Sequence, residues 1–195
     1  MRTFFTSDHH FGHANIIDYC GRPYASVAEM NADLTQRWNE TVAADDVVWH
    51  LGDFAMGDPA DWRGHVAGLN GRLRLVLGNH DGAAEVMREA GFRDVYENVV
   101  IDVDGYNVWL NHFPTAGPDG LDYRGRRGYV RPAAPSAYDI ALCGHVHRKW
   151  TLRNGILNVG VDRWSYRPIE LDDILTEIRD HAKTASNNVG VGRAH

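Results

Sequence analysis

The sequence predicts an α/β fold, and three observations carry that prediction. Short β-branched and aromatic runs alternate with amphipathic helical segments, several of the runs end on Gly, Asp or His, and the 195 residues, 44% of them apolar, suffice to bury a core on both sides of a sheet. One domain is the expectation.

Taken in order, Thr3 to Thr6 is the first strand. Val27, Met30, Leu34, Trp38 and Val42 then recur at three- and four-residue steps, the stripe of an amphipathic helix, with Ser26 and Glu29 as a capping box at its start. Asp45-Asp46 breaks that pattern before the strand Val47 to Leu51. A weaker helix from Pro59 to Val66 leads to the strand Leu73 to Leu77, which completes β-α-β alternation. Ala83 to Ala90 reads as a short helix closed by Gly91.

From Val95 onward strands dominate. Val99 to Val103 and Tyr106 to Leu110 flank Asp104-Gly105, a hairpin signal, and the device recurs where Trp150 to Leu152 and Ile156 to Val159 flank Asn154-Gly155. Ile140 to Cys143 is a further strand. A last helix is expected from Leu171 to Ala182, after which Ser186 to Gly192 has the composition of a disordered tail. The domain is therefore expected to span residues 1–183, with 184–195 as the tail.

A net charge of -6 and a pI near 6.0 are not the footprint of a general nucleic-acid coat. Cys20 and Cys143 lack the spacing of a zinc knuckle or a secreted disulfide scaffold, so reduced, buried thiols are expected. The chain opens without a signal-peptide pattern, and no apolar stretch nears the roughly 20 residues that span a bilayer. A cytoplasmic protein with no membrane partner is the expectation.

Chemistry gathers at strand ends. Asp8-His9-His10, Gly52-Asp53, Gly78-Asn79-His80-Asp81 and Gly144-His145-Val146-His147 each follow a strand run, as does His112. A lone histidine among the 11 present is more often a surface or core residue than a ligand. The joint pattern reverses that expectation, because these segments together supply the carboxylate, amide and imidazole donors of a two-metal hydrolytic centre.

At this point the chain resembles the calcineurin-like metallophosphoesterase superfamily, over residues 8 to 147. The resemblance implies a sandwich of two mixed β-sheets flanked by helices, in α/β/β/α layers. It implies one metal held by Asp8, His10 and His147, a second by Asn79, His112 and His145, and Asp53 bridging both. It further implies His80 as general acid, oriented by Asp81. Two divalent cations, two carboxylates and one hydroxide leave such a centre at about +1, suited to a phosphate ester. A hydroxide shared by the two metals would attack phosphorus, and His80 would protonate the leaving alkoxide.

Manganese is the metal expected by analogy, with iron, zinc or nickel compatible with the same donors. His9 is assigned to the surroundings of the metals or to no role, His50 to the core, and His65, His181 and His195 to the surface. His13 is a candidate substrate contact. So are Arg124 and Arg127, in a Gly- and Pro-containing segment from Thr115 to Ala137 that also holds Arg126 and Arg131.

Residue types argue against two branches of the superfamily. The serine/threonine protein phosphatases continue the second motif as Gly-Asp-x-Val-Asp-Arg-Gly and carry Gly-Asn-His-Glu, whereas this chain reads Gly52-Asp53-Phe54-Ala55-Met56-Gly57 and ends the third motif in Asp81. The recombination nucleases add capping domains for which 195 residues leave no length, so duplex nucleic acid is not expected as a partner. The reading that remains is a phosphodiesterase for small phosphoesters or nucleotides, such as cyclic or 2',3'-cyclic nucleotides. A metal-dependent phosphomonoesterase is the alternative, since the arginine segment suits a terminal phosphate too. A non-catalytic scaffold is the third reading, disfavoured because His80 and every proposed ligand are present.

Overall fold

A computed structural model describes residues 1–114 and 134–190, with side chains placed up to residue 181. Two five-stranded mixed sheets face each other. The first is ordered β10-β1-β2-β3-β4, where β1 is Thr3–Thr6, β2 Val47–His50, β3 Arg72–Val76, β4 Asp94–Tyr96 and β10 Ile169–Glu170. Strands β1 to β4 run parallel and β10 runs antiparallel to β1. The second is ordered β5-β6-β7-β9-β8, with β5 Asn98–Val103, β6 Tyr106–Asn111, β7 Ile140–Cys143, β8 Leu152–Arg153 and β9 Ile156–Asn158. Here β6, β7 and β9 are parallel, while β5 and β8 pair antiparallel at the edges.

The period-two alternation of the strands sorts the core into layers. Phe5, Trp49, Leu51 and Val76 of the first sheet meet Val108, Leu110, Leu142 and Leu157 of the second. Their neighbours Phe4, Val48, Leu73 and Leu75 turn outward onto helices: α1 (Ala14–Cys20), α2 (Val27–Thr41), α3 (Pro59–Ala67) and α4 (Ala84–Ala90). Trp109, Ala141, Cys143 and Ile156 form a smaller cluster on the other face of the second sheet, with Trp150 packed against it. Helix α5 (Leu171–Gly190) follows β10 and sends Leu171 and Ile174 into the layer between the sheets.

Local chemistry explains the boundaries. Ser26 accepts from the Glu29 amide at 3.1 Å, while the Glu29 carboxylate reaches back to the Ala25 amide at 2.8 Å, one residue further than a standard capping box. Asp58 caps α3, whose first residue is Pro59. Asp104 and Gly105 both have positive φ, as do Asn154 and Gly155, the backbone that two-residue hairpin turns require.

Four elements were not expected: α1, the short strand β4, a single 3-10 turn at Val161–Arg163, and β10. Each is too brief to show a period, and β4 and β10 form because partner strands lie alongside. Helix α5 continues to Gly190, past the Ala182 where the apolar pattern ends, in a stretch without proline and free of glycine until that last residue. Both cysteines are free and buried. Among the described residues, no helix is long and apolar enough to cross a membrane.

Candidate metal centre

The loops that leave β1, β2, β3, β6 and β7 converge, because parallel neighbours end at the same edge of their sheet. Close packing demands the motif glycines. A Cβ on Gly52, which has φ +86°, would lie 2.5 Å from the Gly78 nitrogen and 2.7 Å from His112 Nδ1. A Cβ on Gly144 would collide with Ser7 Oγ and lie 2.7 Å from Asp8 Oδ2.

The backbone is strained where the chemistry sits. Among the described residues, nine non-glycine residues have positive φ, and five of them are Asp8, His10, Asp53, His145 and His147. Such conformations are uncommon outside glycine and persist where the surroundings over-determine them.

Two groups of donors result. Asp8, His10 and His147 each offer a ligand atom within 4.8 Å of the others, and so do Asp53, His112 and His145. In the first group Asp8 Oδ1 lies 4.0 Å from His10 Nε2 and 3.9 Å from His147 Nε2. The His145 amide donates to both Asp8 oxygens, at 3.1 and 2.9 Å, which ties the last motif to the first.

In the second group, His112 Nδ1–H donates to the Leu51 carbonyl at 2.6 Å. A carbonyl only accepts, so the neutral ring keeps its lone pair on Nε2. That atom is 3.2 Å from Asn79 Oδ1, 3.1 Å from His145 Nδ1 and 3.6 Å from Asp53 Oδ2. Asp53 links the groups, its Oδ2 lying 3.5 Å from His10 Nε2 as well.

The donor set fits divalent cations. His10 is buried, yet neither of its ring nitrogens has a hydrogen-bond partner. A buried polar atom left so is costly unless something else occupies the space before it. Burial, then His147 and Arg22, hold the His10 pKa well below the usual value, so the ring is a neutral donor. Burial lifts the Asp53 carboxyl to about 7, against His112, with Asp8 and Asp81 adding to the rise. Burial lowers His147, but Asp8 and Asp162 outweigh it and bring the imidazolium to about 11. A proton on His147 thus stands where positive charge is wanted, and a cation between these groups would meet the same demand.

His80 lies at the open side, exposed, its ring 5.4 Å from His10 and 6.4 Å from His13. His13 is 5.6 Å from His10 and 6.4 Å from the exposed Tyr19. Asp81 differs from its expected role. Its carboxylate accepts from the amides of Asp53 (2.9 Å), Gly78 (2.7 Å) and Phe54 (2.9 Å), and it makes no hydrogen bond to the His80 ring. It pins the second and third motif loops together rather than holding an imidazole.

His9 joins neither donor group and packs in the core, hydrogen-bonded to His50 at 2.9 Å and stacked on Phe11. His65 is half-buried rather than on the surface, because its ring stacks on Phe11 at 4.9 Å. Arg124 and Arg127 lie outside the described residues.

Sequence reasoning missed Arg22 and Asp162, which are buried behind His147 and joined by a bidentate ion pair of 2.8 and 3.1 Å. The available signal was position: Asp162 follows the end of β9, at the edge where every other site residue is found.

Residues 1–161 match the model of the calcineurin-like phosphoesterase superfamily domain. The chain belongs to that superfamily. An uncharacterized protein of Methanocaldococcus jannaschii is 32% identical over 89% of both chains. The gene 66 protein of Mycobacterium phage L5 is 32% identical over 88% of this chain and 91% of its own. A solved structure of a protein of unknown function from Aquifex aeolicus superposes with a TM-score of 0.67, at 26% identity, over 90% of this chain and 98% of that one. This calcineurin-like phosphoesterase is a metal-dependent one, and the two converging donor groups are its candidate ligands for divalent ions.

Proposed function

We propose that this phosphoesterase hydrolyses small phosphodiesters with two divalent cations, manganese foremost, and that compact esters such as 2',3'-cyclic nucleotides are its substrate class. One observation carries the two-cation reading: Asp53 Oδ2 is nearly equidistant from His10 Nε2, at 3.5 Å, and His112 Nε2, at 3.6 Å, so one carboxylate serves both donor groups. In this reading Asp8, His10 and His147 hold one ion, Asn79, His112 and His145 the other, and Asp53 both. When bound, the ions supply an activated water at neutral pH and stabilise charge on the phosphoryl oxygens.

The remaining work falls to side chains at the open face. Burial, His13 and His112 hold the His80 pKa down, while Asp81 and Asp8 raise it. An anionic ester arriving beside the ring would favour its protonated form, ready to donate to the departing alkoxide. Asp81 supports His80 through the backbone, by fixing the loop that carries it. His13 is the substrate contact this geometry favours, its ring within reach of an ester lying between His10 and His80.

Turnover of bis-p-nitrophenyl phosphate and of 2',3'-cyclic nucleotides by the manganese-loaded protein tests the proposal. Faster turnover of mono-p-nitrophenyl phosphate would replace it with the phosphomonoesterase reading. No turnover of either class would overturn both.

A further inference from the structure

Behind His147, on the side away from His10, Cys20, His147 and Asp162 also bring ligand atoms within 4.8 Å of one another. This is not a third cation position, because Asp162 already has a cation. Arg22 Nε donates to Asp162 Oδ1 at 2.8 Å and Nη2 donates to Oδ2 at 3.1 Å, with both side chains buried. Asp162 Oδ2 also accepts from His147 Nδ1 at 2.9 Å. A carboxylate in an arginine pair can only accept, so the proton of a neutral His147 sits on Nδ1 and the lone pair on Nε2, the atom facing Asp8.

Arg22 acts on the first motif as well. Its Nη1 donates to the His9 carbonyl and its Nη2 to the Asp8 carbonyl, each at 2.7 Å. Those carbonyls belong to the turn in which Asp8 has φ 60° and His10 φ 52°. One guanidinium therefore secures the strained turn carrying two ligands and the carboxylate that orients the third.

We propose that Arg22 and Asp162 are positioning residues that build the Asp8–His10–His147 cation position selectively, Asp162 by fixing the His147 tautomer and Arg22 by bracing Asp162 and the turn from Asp8 to His10. The other position is built differently: His112 is oriented by the Leu51 carbonyl and Asp53 by the His80 amide, neither of which touches Arg22 or Asp162. This inference rests on the two-cation reading above.

Calorimetric titration of the metal-free full chain with manganese tests it. The wild type is expected to take up two ions. Asp162→Asn places an amide between an arginine and an imidazole that both donate, so one class of site weakens by about 10- to 100-fold while the other keeps its affinity. Asp162→Glu restores part of the loss, and Arg22→Lys, which cannot bridge four acceptors, reproduces it. On the zinc-loaded wild type, heteronuclear NMR of the histidine ring should show His147 protonated on Nδ1, a reading that needs no variant to fold. An Asp162→Asn isotherm that overlays the wild type, equal weakening of both classes, or a proton on Nε2 would overturn the inference alone. A wild type that binds fewer than two ions overturns the reading beneath it, and the inference with it.

Discussion

The backbone amide of His80 donates to Asp53 Oδ1 at 2.9 Å, so the third motif fixes the carboxylate whose other oxygen faces both donor groups. Asp53→Asn is therefore expected to lose both ions together, read by elemental analysis after dialysis. Metal-free stability should respond in the opposite sense. A carboxyl raised from 3.8 to about 7 on folding favours the folded state below the lower value and loses that contribution as pH rises towards the upper one. Above neutral pH the metal-free variant should then melt no lower than the metal-free wild type.

The exposed His80 ring takes no part in either donor group. His80→Ala should leave metal content unchanged. Turnover of an alkyl diester, whose leaving group needs a proton, should fall by roughly 100- to 10,000-fold, and that of a nitrophenyl ester by much less. Loss of metal in this variant would move His80 from acid to ligand.

How much of this was legible in the sequence depended on length and on repetition. The helix from Val27 and the hairpins at Asp104-Gly105 and Asn154-Gly155 were readable because a period or a turn pair marks them. Helix α1 was not, because its seven residues carry no amphipathic stripe, although Gly21 closes it as Gly91 closes the equally short α4; strands β4 and β10 were not, because an edge strand is specified by its partner. The ligand candidates announced themselves as motifs. Arg22 and Asp162 did not, because an ion pair closed across 140 residues of separation leaves no local pattern. His65 was misplaced on the surface, and the two alternatives for His9 stayed open, for one cause: stacking on Phe11 is a tertiary fact, and a histidine's sequence neighbours do not reveal it.

Three amide hydrogen bonds to Asp81 separate a bracing role from an orienting one. Asp81→Ala leaves the amides of Asp53, Gly78 and Phe54 without their acceptor, at a cost of about 1.5–3 kcal/mol for each bond to the charged group. The expected result is a lower melting temperature and weaker metal binding. The residual activity should still show the alkaline limb that a protonated His80 imposes, moved towards lower pH only by the lost charge of Asp81, because no hydrogen bond joins the two side chains. Loss of turnover with unaltered metal affinity and melting temperature would restore the orienting role.

Acid should unfold the metal-free protein through a pair of core histidines that belong to neither donor group. His9 and His50 are fully buried and bonded to each other at 2.9 Å between ring nitrogens, enclosed by Phe11, Trp38, Phe54 and Phe92. Burial, with a smaller push from His112, lowers His50 from 6.5 to about 3, and burial, His50 and Arg22 lower His9 in the same direction. The folded state keeps both rings neutral while the unfolded chain protonates them below 6.5, so stability is complete above that value and drains away as pH falls towards 3. His50 contributes about 2 kcal/mol of this loss by pH 5, and His9 adds to it in the same direction. His50→Gln cannot titrate but can still hydrogen-bond His9. Urea denaturation of the two proteins at pH 7 and pH 5 should show a smaller drop for the variant, and equal drops would assign the acid sensitivity to other groups.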